Sequence, residues 1–176
     1  MQYSKFLKKG GDHEWHMIDG SIVRAHQHAA GALGGQDLQA IGRSRGGFST
    51  KIHAKVDAFG LPLKFILTAG QVHEINVAKP LLEDLHSDYL LADRAYDCND
   101  FRDELSARGT TAVIPGKKNR LKPIKHDRHI YKERNFVERF FNRIKGFRRI
   151  ATRYDKTATM FLGALTVVGI LLWLKL

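Results

Sequence analysis

The sequence contains one cysteine, no apolar segment near its start and none of the short motifs of common hydrolases. Cys98, alone among 176 residues, excludes an internal disulfide framework and a zinc cluster built from cysteine pairs, and it suits a reducing compartment. The first twenty residues lack an apolar stretch, so no signal peptide is expected. Neither Gly-X-Ser-X-Gly nor His-Glu-X-X-His occurs, which argues against a serine nucleophile and a zinc protease.

The sequence also lacks an apolar run long enough for an ordinary membrane helix. Its longest apolar stretch runs from Met160 to Leu174, interrupted only by Thr166. Spanning a bilayer takes about 20 such residues, and a helix that is apolar all round is more often buried in a core. We therefore predict a buried apolar last helix over residues 157–174 and no membrane partner. A small membrane protein with a C-terminal anchor is the alternative, and recovery without detergent would dismiss it.

The excess of positive charge is confined to one segment. The chain has a net charge of +11, and residues 117–156 hold 15 Lys or Arg against four acidic residues, which accounts for all of it. The remaining residues contain 14 basic and 14 acidic side chains. A concentrated basic segment predicts a polyanionic partner, most often nucleic acid. A basic face that only keeps the protein in solution is the plainer alternative.

Hydrophobic periodicity predicts one α/β domain with a mixed sheet flanked by helices. The expected strands are 15–19, 49–57, 63–68, 89–92 and 110–114, of which 49–57 alternates as a half-buried strand and forms an antiparallel hairpin with 63–68. The expected helices are 76–86, 98–108, 131–149 and 157–174. Residues 1–14 form an irregular lead-in, 24–47 a long glycine-rich loop and 117–129 a basic loop, and long loops of this kind often carry function.

One face of the predicted helix 131–149 combines an acid, two cations and a phenol. Tyr131, Arg134, Glu138 and Lys145 are separated by two, three and six residues. At about 100° per residue these positions share a face of an α-helix. Such a face is poorly explained as solvated surface, although Arg134 and Glu138 alone could be an ordinary ion pair four residues apart.

Two aspartates occupy equivalent places after apolar strands. Asp19 follows the strand 15–19 and Asp93 follows the strand 89–92, so neighbouring strands would bring both carboxylates to one edge of the sheet. If Glu138 joins them, the three carboxylates repel one another and favour Mg²⁺, which prefers oxygen ligands. An aspartate at the end of a strand is on its own more often a turn residue.

The histidines and the basic loop are further candidates. His26 and His28 form a His-X-His pair, but without cysteine partners we expect them to contact substrate or support the loop rather than bind zinc. Lys117, Lys118 and Arg120 lie in the basic loop and are predicted to contact DNA.

These residues together resemble bacterial insertion-sequence transposases of the DDE type, and most closely the insertion-sequence-5-like group. The resemblance rests on residues 18–21 (Ile-Asp-Gly-Ser), 24–32, 91–97 (Leu-Ala-Asp-Arg-Ala-Tyr-Asp) and 147–156, and on the spacing of Tyr131, Arg134, Glu138 and Lys145. It extends over residues 14–174. It implies a ribonuclease-H-like fold, and a bacterial protein that is cytoplasmic and associated with the nucleoid.

The resemblance also implies a reaction and its machinery. Asp19, Asp93 and Glu138 would hold two Mg²⁺ ions, for which Mn²⁺ can substitute, and cleave phosphodiester bonds at transposon ends before the freed 3′-hydroxyl attacks target DNA. Arg94, Tyr131, Arg134 and Lys145 would position that DNA. The expected partners are double-stranded DNA from transposon ends and target, and a second copy of the chain on DNA.

The sequence departs from the family's pattern in two places. Ala95 stands where many relatives have glycine, a difference in size too small to disable the site. Asp19 lies much closer to residue 1 than is common, so we expect residues 15–176 to be the catalytic domain alone, without the family's N-terminal DNA-binding region. An upstream reading frame would then supply that region. The alternative is a truncated, non-catalytic DNA-binding regulator or relic.

Overall fold

A computed structural model describes residues 14–44, 46–83 and 87–175. Its strands are β1 (Trp15–Ala25), β2 (Gly42–Ser44), β3 (Gly47–Val56), β4 (Pro62–Ala69), β5 (Tyr89–Leu91), β6 (Thr111–Val113) and β7 (Thr152–Arg153). Its helices are α1 (Gly35–Leu38), α2 (Ala78–Leu81), α3 (Asn99–Ala107), α4 (Arg128–Tyr131), α5 (Asn135–Lys145), α6 (Arg148–Ala151) and α7 (Ala158–Trp173). Short 3₁₀ turns cover Gln27–Ala29, Glu74–Val77, Arg94–Tyr96 and Lys132–Arg134.

The strands form one mixed sheet, which confirms the predicted fold class. Its main path runs β2-β3-β1-β5-β6, while β4 pairs with β3 and β7 pairs with β1. The β1–β5, β5–β6 and β1–β7 pairs are parallel, and the β2–β3 pair is antiparallel. The predicted pairing of the strands near 49–57 and 63–68 is present as β3–β4.

The contacts divide the chain into two compact units. Of the described residues, the first contains those within 14–19, 54–64 and 73–139, and the second contains those within 20–53, 65–72 and 140–175. In the first unit α3 buries Phe101 and Leu105 on one side and ends before Gly109, whose φ of +74° suits glycine. These apolar side chains join a core with buried residues of the strands, among them Met17, Leu90, Leu91 and Val113.

A buried arginine organises the core of the second unit. Arg153 is 0% exposed, its Nη1 donates to Thr50 Oγ1 at 2.7 Å, and its guanidinium lies 5.3 Å from the ring centre of Phe161. Burial lowers the pKa of Arg153 to about 10, and the nearby Asp155 partly opposes that shift, so the side chain is a cation at neutral pH. Because the cation is hydrogen-bonded and stacked, its burial is tolerated.

The polar residues of β3 are more deeply buried than the alternating pattern predicts. Lys51 and Lys55 are 6% and 4% exposed, so β3 is covered on both faces instead of being half-buried. Lys51 Nζ donates to the Val72 carbonyl at 2.6 Å and Lys55 Nζ donates to the Glu83 carbonyl at 2.9 Å. Long lysine side chains can line a buried strand in this way because the ammonium group reaches backbone carbonyls.

Three predicted segments differ in extent. The strand expected to end at Asp19 continues to Ala25, and the expected loop 24–47 contains α1 and β2. The helix expected over 131–149 is divided into α4, a 3₁₀ turn, α5 and α6. The helix expected over 76–86 is the short α2 with the preceding 3₁₀ turn, and its predicted inward residue Leu85 lies outside the described residues.

The last helix is buried on one face only. Phe161, Leu165 and Val168 are buried, whereas Met160 and Val167 are 61% and 56% exposed. The expectation of a buried apolar helix therefore holds for half of α7. Among the described residues, no helix combines the length and the apolar character needed to cross a membrane.

Candidate active site

The pairing of β1 with β5 sets Asp19 opposite Asp93. The strands run parallel, with Trp15 paired to Tyr89 and Met17 paired to Leu91. Continuing this register for two residues aligns Asp19 with Asp93, and adjacent strands lie about 4.8 Å apart. Asp19 belongs to a longer strand than expected and Asp93 follows directly after β5 and Ala92. The juxtaposition predicted for the two aspartates is therefore supported by the strand register.

Asp93 also determines how the chain leaves the sheet. Its Oδ1 accepts a hydrogen bond from the Ala95 backbone N at 2.8 Å, which caps the 3₁₀ turn Arg94–Tyr96. An aspartate in this position satisfies a backbone donor that the turn leaves unpaired. The turn uses only Oδ1 of Asp93, so its role in the turn does not exclude the predicted role in the site.

Arg134 connects Asp19 to Glu138. Its Nη2 donates to Asp19 Oδ2 at 2.8 Å and its Nη1 donates to Glu138 Oε1 at 2.5 Å. The side chains of Asp19 and Arg134 are 15% and 16% exposed, whereas that of Glu138 is 57% exposed. Burial alone would lower the pKa of Arg134, but Asp19, Tyr131 and Glu138 together raise it. Arg134 is therefore a permanent cation that holds two of the three predicted acidic residues at one place.

The same carboxylates affect the pKa values of two tyrosines, Tyr96 and Tyr131. Burial raises the pKa of Tyr96 well above its usual value, and the charges of Asp19, Glu74 and Asp93 raise it further. Burial also raises the pKa of Tyr131, with Arg134 opposing the shift and Asp93 adding to it. Both phenols are thus kept protonated. The buried hydroxyl of Tyr96 has no hydrogen-bond partner among the described residues.

The donor chemistry suits a hard divalent cation, but the side chains are not arranged as a ready metal site. Within the described part of the chain, no three His, Cys, Asp or Glu side chains lie close enough together to hold an ion as they stand. Asp19 and Glu138 approach one another through the guanidinium of Arg134. Three carboxylates that offer only oxygen are ligands that Mg²⁺ accepts, so Asp19, Asp93 and Glu138 are the residues that would hold it.

An aspartate that the sequence analysis did not single out anchors the basic loop. Asp97 has a fully buried side chain, and its Oδ1 accepts from Arg102 Nε at 2.8 Å. Its Oδ2 accepts from Arg120 Nε at 2.6 Å and from the Lys117 backbone N at 2.7 Å. The only sequence signal for this role is its place in the run that follows Asp93.

The basic residues of the first unit differ in availability. Arg120 is held by Asp97, and its Nη2 also donates to Asn99 Oδ1 at 2.7 Å. Arg94, Lys117 and Lys118 have exposed side chains. Contact of these four residues with DNA stays a prediction, and the geometry favours the three exposed ones.

The remaining predicted site residues belong to the second unit. His26 is half-buried, and its Nδ1 accepts from the His28 backbone N at 3.3 Å. His28 is exposed, and Lys145 is half-buried in the last turn of α5. Their predicted role in binding DNA also stays a prediction.

Comparisons with known proteins define the family. Residues 12–173 match the family model of the transposase DDE domain. The chain is 38% identical over 129 residues to a protein assigned as the transposase of insertion sequence element IS6501 in Brucella ovis, and the match covers 72% of this chain and 99% of that protein. It is 30% identical over 132 residues to the corresponding protein of IS402 in Burkholderia cepacia, covering 68% of this chain and 60% of the relative.

Two solved structures share a more distant likeness. One is a piggyBac transposase synaptic complex with hairpin DNA, at 12% identity and a TM-score of 0.42, covering 61% of this chain and 24% of the other. The second is the Mos1 strand transfer complex, at 14% identity and a TM-score of 0.39, covering 82% of this chain and 50% of the other.

The chain is thus an α/β protein with a mixed sheet flanked by helices. It belongs to the transposase DDE domain family, as the family model and the relative in Brucella ovis establish. The resemblance stated from the sequence is confirmed at this level.

Proposed function

We propose that the chain is the catalytic domain of an insertion-sequence-5-like transposase, comprising residues 15–176. It cleaves phosphodiester bonds at transposon ends and transfers the 3′-hydroxyl to target DNA. The observation that carries the proposal is the register of β1 and β5, which aligns Asp19 with Asp93, together with the hydrogen bonds of Arg134 that tie Asp19 to Glu138. A structural ion pair would explain the contact of Arg134 with Glu138, but it would not explain why the same guanidinium also binds Asp19, which the strand register aligns with Asp93.

Asp19, Asp93 and Glu138 would hold two Mg²⁺ or Mn²⁺ ions. When bound, such ions activate the attacking oxygen and stabilise the leaving oxygen of the in-line displacement. The protein's own contribution is positional. Arg134 holds Asp19 and Glu138 close to its guanidinium before substrate arrives, so binding of the ions requires these side chains to rearrange around acids that are already near one another.

The basic residues supply the electrostatic part of substrate binding. Arg94, Lys117 and Lys118 are exposed in the first unit and would neutralise phosphates of double-stranded DNA. Tyr131 stays protonated, so its hydroxyl can donate to a phosphate oxygen. We further propose that the chain acts as a homodimer on DNA near the bacterial nucleoid.

The proposal is tested by nicking of a supercoiled plasmid that carries the ends of the element encoding the chain. With Mg²⁺ or Mn²⁺, the purified chain is expected to convert the plasmid to open circles, and Asp19→Asn, Asp93→Asn and Glu138→Gln should each lower the rate by more than about 100-fold. Asp103→Asn is the matched control because Asp103 is an exposed acid on α3. Full activity of Asp19→Asn would refute the assignment.

A second measurement distinguishes an inactive DNA-binding relic. Binding of Mn²⁺, followed by electron paramagnetic resonance, should weaken in the same three variants and remain unchanged in Asp103→Asn. Salt-sensitive DNA binding without metal binding or cleavage would instead support the non-catalytic regulator.

A further inference from the structure

A shallow trough in the second unit combines aromatic walls with positive charge. It has a volume of about 510 Å³ and is lined by Arg24, Ala25, His26, Gln27, Gly46, Phe48 and Thr152. Pockets for small molecules commonly have volumes of 300–1,000 Å³. This trough is large enough for one nucleotide and has no acidic residue in its lining.

Strand pairing holds the backbone in place along one side of the trough. At the end of β1, Arg24 pairs with Thr152 and Ala25 pairs with Arg153 in β7. The His26 backbone N then donates to the Arg153 carbonyl at 2.8 Å. Because Arg153 is itself fully buried and hydrogen-bonded, the backbone beneath His26 is held in place.

Ring contacts also fix the orientation of His26. Its imidazole lies 4.8 Å from the ring of Tyr154 at an interplanar angle of 30°, and 4.6 Å from the ring of His28 at 71°. Its Nδ1 accepts from the His28 backbone, so in the neutral ring the proton lies on Nε2. The trough therefore presents a preset aromatic surface and a hydrogen-bond donor at one place.

A second aromatic ring of the lining, that of Phe48, is paired with a cation from outside the lining. Phe48 is half-buried, and Arg43 Cζ lies 5.3 Å from its ring centre. Arg24 and Arg43 are both exposed. Aromatic faces that stack bases, flanked by arginines that contact phosphates, are the combination by which proteins hold unpaired nucleotides.

We propose that this trough binds one unstacked base of DNA, stacked against His26 and Phe48, with its phosphate held by Arg24. The inference rests on the proposed function, because it assigns to a chain that acts on DNA a separate site for a base that leaves the duplex. A paired base cannot enter, since its faces are covered by its neighbours. The trough therefore discriminates distorted or unpaired DNA from regular duplex.

The test compares three DNA probes with the full chain in the absence of metal. They are a regular duplex, the same duplex with a single bulged 2-aminopurine, and a single strand with 2-aminopurine at its centre. The bulged duplex is expected to bind about tenfold more tightly than the regular one, from one base–aromatic stack, and its 2-aminopurine fluorescence should be quenched on binding. Free deoxyadenosine monophosphate should bind at least about 100-fold more weakly than the bulged duplex, because it lacks neighbouring phosphates.

Substitutions of Phe48 test whether the trough causes the preference for the bulged duplex. Phe48→Leu keeps apolar volume but removes the stacking ring, so it should abolish most of the preference for the bulged duplex, and Phe48→Tyr should retain it. Phe59→Leu is the control, because Phe59 is 53% exposed in the first unit and is not part of the trough. The regular duplex should bind all of these variants with equal affinity, which also verifies that they are folded.

Each outcome bears on the proposal. Equal affinity for bulged and regular duplex, equal affinity for the free nucleotide, or an unchanged preference in Phe48→Leu would overturn it. If the preference disappears in Phe48→Leu while the wild-type chain fails to nick DNA with any metal, the trough is established and the proposed catalytic function fails. If the chain nicks transposon ends but shows no preference for the bulge, the catalytic function stands and the trough is refuted.

Discussion

The hydrogen bonds that the Asp97 carboxylate accepts predict how the stability of the protein depends on pH. Burial would raise the pKa of this carboxyl, but hydrogen bonds from Arg120, the Lys117 backbone and Arg102 outweigh burial and lower it to about 2. In the unfolded chain this carboxyl has its ordinary pKa of 3.8, and the difference between the two pKa values corresponds to about 2 kcal/mol of stability. Since the folded-state pKa is depressed, this contribution is complete above about pH 4 and is lost as pH falls through about 2.

The substitution Asp97→Asn keeps the size of the side chain but removes its charge. The side chains of Arg102 and Arg120 are only 14% and 20% exposed, so both would be left without their carboxylate. We expect the free energy of unfolding at pH 7 to fall by about 3 kcal/mol, the usual cost of removing one partner from a buried pair. Urea unfolding followed by circular dichroism, at pH values from 7 down to 2, measures both effects.

Asp103→Asn serves as the control, because Asp103 is exposed on α3 and should change stability by less than about 0.5 kcal/mol. The wild-type protein should lose stability between pH 4 and pH 2 more steeply than Asp97→Asn, since only the wild type has this carboxyl to protonate. Equal unfolding midpoints for Asp97→Asn and wild type at pH 7, or parallel pH profiles, would refute the reasoning.

Two further predictions concern a turn and the arginine of the site. Gly60 and Gly109 have φ values of +75° and +74°, but a Cβ at Gly60 would lie 3.0 Å from the Phe136 carbonyl oxygen, whereas at Gly109 nothing lies within 4 Å. Thermal unfolding should therefore show Gly109→Ala destabilised by about 1 kcal/mol and Gly60→Ala by about 2–3 kcal/mol, and equal costs would contradict this. Arg134→Gln should lower the rate of plasmid nicking by about 10- to 100-fold because Asp19 and Glu138 lose their shared partner, while Arg139→Gln, an exposed change on α5, should leave it within about twofold.

The sequence predicted the class of fold because hydrophobic periodicity is a local property. The expected strands near 89–92 and 110–114 correspond to β5 and β6, and the helix expected over 98–108 corresponds to α3. The ion pair of Arg134 with Glu138 also follows from spacing, since residues four apart meet on a helix. Longer segments were predicted less well: β1 continues past Gly20 to Ala25, and its last two residues pair with β7, which lies more than 120 residues further along the chain.

The sequence by itself thus determined the kinds of chemistry available, namely three separated acids, a concentrated basic segment and an apolar last helix. Only the tertiary structure decided which of these groups meet. The strand register aligns Asp19 with Asp93, and Arg134 reaches across 115 residues of sequence to Asp19. Arg120 is bound to Asp97, so it is not a freely exposed cation although it lies in the basic loop. Pairings of this kind depend on long-range strand and side-chain contacts, and no local pattern of residues encodes them.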